Sequence, residues 1–205
     1  MPLLTTQSAR GYGLNAFAAS AIASFESIQT VQVASGTSAT LVFSSIPQTY
    51  KHLQIRGIIG SAYSNSGTGG SGVAVQFNAA TGSGRTDYVR GVIVSNGSTP
   101  SSQLAAGTWG GYLTASWNNV NSTGTNTYCP VIIDIYNYSS TTLNKTAFIK
   151  NGFETSSAST NRNVMFGGFA WNSTAAIDTI TFDQSAWIGD GFFRAGSKLS
   201  LYGVK

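Results

Sequence analysis

The chain has 205 residues, 41% of them apolar, enough for one large β domain with a sizeable core or for two small ones. Only 9% are charged, and 24 glycines with long Ser/Thr/Asn runs take their place. That composition excludes a disordered chain, which combines low hydrophobicity with high net charge, and it is unlike an ordinary cytosolic enzyme.

Residues 1–27 stand apart. Met1-Pro2-Leu3-Leu4 is apolar, residues 8–13 read as a turn-like stretch, and the Ala-rich stretch 15–27 is at best a weak helix. These residues are expected to form an extended N-terminal arm. Leu3, Leu4, Tyr12, Leu14 and Phe17, together with Arg10, are its expected contacts with a neighbouring subunit.

From residue 28 to 205 the pattern is that of one β domain. Ile28-Gln29-Thr30-Val31-Gln32-Val33 alternates apolar and polar residues, as a half-buried strand does. Residues 35–38 read as a turn and 40–43 as the return strand. Leu53, Ile55 and Gly57 then alternate with His52, Gln54 and Arg56. Further strands are predicted at 73–77, 88–94, 109–117, 128–138, 145–153, 164–171, 177–182 and 199–204, separated by Gly/Ser/Asn turns. In the 128–138 strand, Val131, Ile133 and Ile135 occupy one register, and Ile132, Asp134 and Tyr136 the other. The single cysteine, Cys129, begins that apolar run and reads as a small buried hydrophobe; with one cysteine no intrachain disulfide is possible. About ten short strands with Gly-rich turns predict an all-β sandwich or jelly roll.

The net charge is +4, but the basic residues are spread along the chain, so a nucleic-acid-binding face is not expected. No apolar run approaches the ~20 residues of a membrane helix. The N-terminus lacks the basic and apolar regions of a secretory signal, so neither a membrane span nor a signal peptide is expected.

Catalytic chemistry has few residues to draw on. His52 is the only histidine; it sits in a predicted strand, and no Gly-X-Ser-X-Gly elbow accompanies it. One His and one Cys do not make an ordinary zinc site. Asp178 and Asp183, five apart along a predicted strand, should point to opposite faces, and Asp134 should pair with an Arg or Lys. No dense acidic loop for calcium and no dinucleotide fingerprint is present. Neither an enzyme nor a cofactor or metal is therefore expected. The aromatic residues allow two readings: Trp109, Trp117, Trp171 and Trp187 stack on sugar rings, or they fill a core or a subunit interface.

Four blocks carry a resemblance. They are Phe25-Glu26-Ser27-Ile28; the stretch from Ile46-Pro47-Gln48-Thr49-Tyr50 to Arg56; Trp171-Asn172-Ser173-Thr174 continuing to Ile180; and Gly196-Ser197-Lys198-Leu199 continuing to Lys205. Across roughly residues 25–205 the chain resembles a recurrent virion structural protein of tailed phages, including those of aquatic and cyanobacterial hosts. The resemblance implies a jelly-roll-like antiparallel β-sandwich on the particle surface and no catalytic residues. The function it implies is that of a capsid decoration (cement) protein, often a homotrimer, bound to the major capsid protein. On that reading the arm residues named above contact the capsid. The alternative it leaves open is a tail-fibre or receptor-binding head that binds host polysaccharide.

Overall fold

The computed structural model of the chain is described over residues 25–63, 72–78, 87–95, 100–106, 110–114, 128–154, 162–184 and 191–205. Those residues form fifteen strands and no helix: β1 (Phe25–Gln32), β2 (Thr37–Ser38), β3 (Thr40–Phe43), β4 (His52–Ile59), β5 (Ser61–Tyr63), β6 (Gly72–Phe77), β7 (Tyr88–Ser95), β8 (Pro100–Ala106), β9 (Gly111–Thr114), β10 (Cys129–Tyr136), β11 (Lys145–Glu154), β12 (Arg162–Trp171), β13 (Ile180–Asp183), β14 (Gly191–Arg194) and β15 (Lys198–Val204). All strand pairs are antiparallel. Eight strands make one sheet in the order β1-β15-β4-β10-β11-β12-β7-β8. Four more, β3-β13-β6-β9, make a second sheet, and β2-β14-β5 a small third. The result is an antiparallel β-sandwich.

Period-two alternation sets which face of the large sheet turns inward. Cys129, Val131, Ile133 and Ile135 of β10 are buried, while the residues between them point out. Leu53 and Ile55 of β4, Ile149 of β11, Met165 and Phe169 of β12, and Leu199 and Leu201 of β15 continue the same inner face. The second sheet supplies the other side of the core. Every residue of β6 and of β13 is buried, so both strands are covered on both faces.

An aromatic cluster joins the sheets. Phe77 of β6 lies 5.4 Å from Phe169 and 5.7 Å from Trp171, ring to ring, and Tyr88 stacks on Trp171 at 6.2 Å. The polar atoms of these rings are satisfied. The Phe77 backbone N–H donates to the Tyr88 hydroxyl at 2.7 Å, and Trp171 Nε1 donates to Asp87 Oδ2 at 2.6 Å. Trp171 is thus a core residue.

A buried cation anchors the loops at one end. Lys145 is fully buried, and its ammonium donates to the carbonyls of Ser140 (2.7 Å), Leu143 (2.6 Å) and Thr174 (3.1 Å). Burial holds its pKa below the ordinary lysine value. Nearby, Asn137 takes a positive φ of 54° that lets the chain leave β10, and Tyr138 turns into the core, donating its hydroxyl to the Pro47 carbonyl.

The structure corrects several strand boundaries. Strand β1 runs from Phe25, ahead of the residue 28 expected for the first strand. Phe25, Glu26 and Ser27 pair with Val204, Gly203 and Tyr202, so the end of the expected helical stretch is strand. Glu26 is held there by Lys205 (2.6 Å) and by the Tyr50 hydroxyl (2.7 Å). Gly203 makes room for Tyr50: a Cβ on Gly203 would run into that ring. Residues 177–179 precede β13 instead of lying in it. Asp178 and Asp183 therefore do not share a strand, and Asp183 is buried while Asp178 is exposed. Strands β2, β5, β8 and β14 were not expected, because they are two to seven residues long and carry little alternation. They exist because a neighbouring strand offers unpaired backbone groups.

Candidate interaction surface

The outward-facing residues of the large sheet form the candidate site. Pairing registers place them in rows that run across the strands. Asp134, Phe148, Gly168, Gly91 and Leu104 make one row over β10, β11, β12, β7 and β8. Ile132, Lys150, Phe166, Ile93 and Ser102 make the next, and Tyr136, Thr146, Ala170 and Val89 a third.

This half of the outer face is apolar and open to solvent. Phe148 and Phe166 are each 51% exposed, Val164 68% and Leu104 83%, and Ile132, Ile93, Val89 and Tyr136 are exposed beside them. Five strands about 4.8 Å apart, with three rows about 6.8 Å apart, give a footprint on the order of 500 Å², in which Asp134, Lys150, Ser102 and Thr146 stand among the apolar residues. Soluble monomers rarely expose larger continuous apolar patches, and those of this size are often functional. Gly168 and Gly91 sit opposite each other in the middle of it. The Phe148 ring leans over Gly168, where a Cβ would stand 3.3 Å from the Phe148 Cδ1 and 2.7 Å from the Ala147 carbonyl oxygen. Leu104 lies beside Gly91 in the same way, its Cδ1 3.8 Å from where a Cβ would stand.

The other half, over β4, β15 and β1, is mainly polar, with Phe25 and Ile58 exposed among its polar groups. Thr30 and Ser200 bond hydroxyl to hydroxyl at 2.9 Å. The Arg56 guanidinium lies 5.3 Å from the Phe25 ring and 5.9 Å from the Tyr202 ring. Arg56 Nε donates to Gln54 Oε1, and Gln54 Nε2 in turn donates to Asp134 Oδ1 at 2.5 Å. Asp134 therefore takes its bond from an amide rather than from the Arg or Lys expected for it, and the cation stands one residue further along the chain of bonds. The geometric reason is register. Gln54 is directly opposite Asp134 on β4, whereas Arg56 is opposite Ile132.

A shallow notch of about 110 Å³ marks the seam between the halves. Phe25, His52, Gln54, Asp134, Tyr136 and Val204 are among the residues that line it. His52 begins β4, its ring 5.1 Å from that of Tyr136, and its Nδ1 accepts from the Asn137 backbone N–H at 3.3 Å. It is a strand histidine on the outer face, as its sequence position suggested.

Of the other expected site residues, Leu3, Leu4, Arg10, Tyr12, Leu14 and Phe17 lie outside the described residues, as do Trp109, Trp117 and Trp187. Cys129 is buried on β10. Among the described residues, no group of three or more His, Cys, Asp or Glu side chains is placed to hold a metal ion, and no helix is long and apolar enough to cross a membrane. The outer apolar patch was not anticipated. Its signal was Ile132 and Tyr136 in the second register of β10, together with Phe148 and Phe166 in the outward registers of β11 and β12. No protein-family model matches the chain, and no curated protein is similar to it.

Proposed function

We propose that this chain is a non-enzymatic structural protein of a tailed-phage virion. In this reading it is a capsid decoration, or cement, protein with a jelly-roll-like sandwich on the head surface. Its arm, including Leu3, Leu4, Arg10, Tyr12, Leu14 and Phe17, bridges major capsid subunits, and the sandwich associates with copies of itself, the resemblance implying a homotrimer. The observation that carries this reading is the open apolar half of the large sheet, a surface suited to adhesion. The four blocks of resemblance supply the virion context. A protein that binds only the assembled shell stabilises it by mass action, and repetition on a lattice multiplies weak contacts.

The test is the copy number in purified virions. Hundreds of copies accord with a head decoration, and a few to a few tens would assign the protein to the tail. Deleting residues 1–24 should abolish capsid binding and leave the sandwich folded; capsids saturated by the truncated protein would contradict the bridging mechanism.

One observation favours a second reading, a tail-fibre or receptor-binding head that holds host polysaccharide. The notch between Phe25, His52 and Tyr136 offers aromatic surface beside a carboxylate and an amide, the groups that stack on a sugar ring and hydrogen-bond its hydroxyls. A glycan screen separates the readings, because a cement protein shows no saccharide preference and Tyr136→Ala would remove one if it exists.

A further inference from the structure

The apolar half of the outer face has a self-complementary centre. On β10 and β11, Asp134 is directly opposite Phe148, and Ile132 is directly opposite Lys150. The four side chains project from the same face at the corners of a small rectangle. Its two diagonals differ in character: one joins Asp134 to Lys150, the other Ile132 to Phe148. We infer that this rectangle is a two-fold docking site for a second copy of the same chain, packed face to face through the outer sides of β10 and β11 with the strands of the two copies crossing. The inference rests on the adhesive reading of this face given above.

A two-fold axis laid along the Ile132–Phe148 diagonal, midway between two stacked sheets, carries each aspartate over the other copy's lysine. It also carries Phe148 over Phe148 and Ile132 over Ile132. Both ion pairs form at once, and every apolar corner meets an apolar corner. The same operation along the other diagonal would stack like charges, so the register is selected as well as permitted. A strongly acidic or basic partner gains nothing from a patch whose centre holds one charge of each sign. The polar residues beside the rectangle on β4, Gln54 and Arg56, are contiguous with it and would serve as the rim of the contact. Such a contact makes pairs. A trimer would need a separate surface, with this contact joining trimers two by two.

The test is the solution mass of the full chain, by light scattering, for the wild type, Lys150→Glu, Asp134→Lys and the double exchange. The wild type is expected at twice the 21.4 kDa chain mass or an even multiple of it. Each single reversal, which places like charges face to face twice, should weaken association by roughly tenfold or more, and the double exchange should restore it. Circular dichroism and the melting curve of each variant establish that it is folded. Because these residues are on the outer face, Phe148→Ser provides an independent disruption if a charge variant fails to fold. A wild type that stays a single chain at its highest soluble concentration overturns the inference. So does an assembly whose mass ignores both reversals, or a double exchange that fails to restore the pair. The decoration reading fails by a different readout, loss of the protein from virions, and is untouched if only the mass result fails.

Discussion

The two faces of the eight-stranded sheet share the same strands, registers and hydrogen bonds, yet they solve different problems. The inner face is apolar from β15 to β7 and is filled from the other side by β6 and β13, with the Tyr88 and Trp171 polar atoms satisfied. The outer face is mainly polar over β1, β15 and β4, where Phe25 and Ile58 are also exposed, and mainly apolar over β10, β11, β12, β7 and β8, with nothing in the described structure covering it. A sheet needs only one apolar face to fold in water. The apolar half of the outer face goes beyond that requirement, and it is the surface inferred above to meet a second copy of the chain.

Substitutions should split accordingly. The largest stability loss is expected inside. Phe77→Ala or Trp171→Ala empties the joint between the sheets and should cost about 3–5 kcal/mol, read from denaturant unfolding. Next comes Lys145→Met, which takes from the carbonyls of Ser140, Leu143 and Thr174 the donor that ties their loops together and should cost about 1–3 kcal/mol. The lowered pKa of Lys145 fixes the sign of its pH dependence. Below its folded pKa the lysine is charged in both states and burial of that charge opposes folding. As pH rises through the folded pKa towards the ordinary lysine value, this opposition is relieved, so K145M should lose its pH dependence there.

On the outer face the order reverses. Phe148→Ser and Phe166→Ser should change the stability of the isolated chain by no more than about 0.5 kcal/mol while weakening self-association strongly. The smallest effect is at the sheet edge. Hydrogen bonds from Lys205 and Tyr50 hold the Glu26 carboxyl below its ordinary pKa. Its contribution is present above the ordinary glutamate range and is lost as pH falls through the lowered value. Glu26→Gln should remove that portion of the acid dependence and little else, which a series of melting curves at falling pH would show.

Much of the inner face was legible in the sequence, because alternation reports burial on one side of a strand. Val131, Ile133 and Ile135, and Leu53 and Ile55, are buried together as the alternation of their strands implied. Short strands such as β2 and β14 were not legible, since two to four residues carry no period and form only because a partner strand is already in place. The outer patch escaped for a related reason. A template that expects one apolar and one polar register passes over strands in which both are apolar, as in β10. The Asp134–Gln54 bond joins residues 80 apart in sequence, and only the β4–β10 register brings them together. The arm contacts expected at Leu3 to Phe17 lie outside both the described residues and the stretch of resemblance, and remain a proposal.

The outer apolar half is the surface inferred to join copies of the chain. The most direct measurement is the melting temperature against protein concentration for the wild type and for a Phe148→Ser/Phe166→Ser variant. Association coupled to folding makes the midpoint rise with concentration. The wild-type midpoint should climb and the variant's should stay flat at the wild-type low-concentration limit. A wild-type midpoint independent of concentration, or a variant that climbs in parallel with it, would contradict the claim.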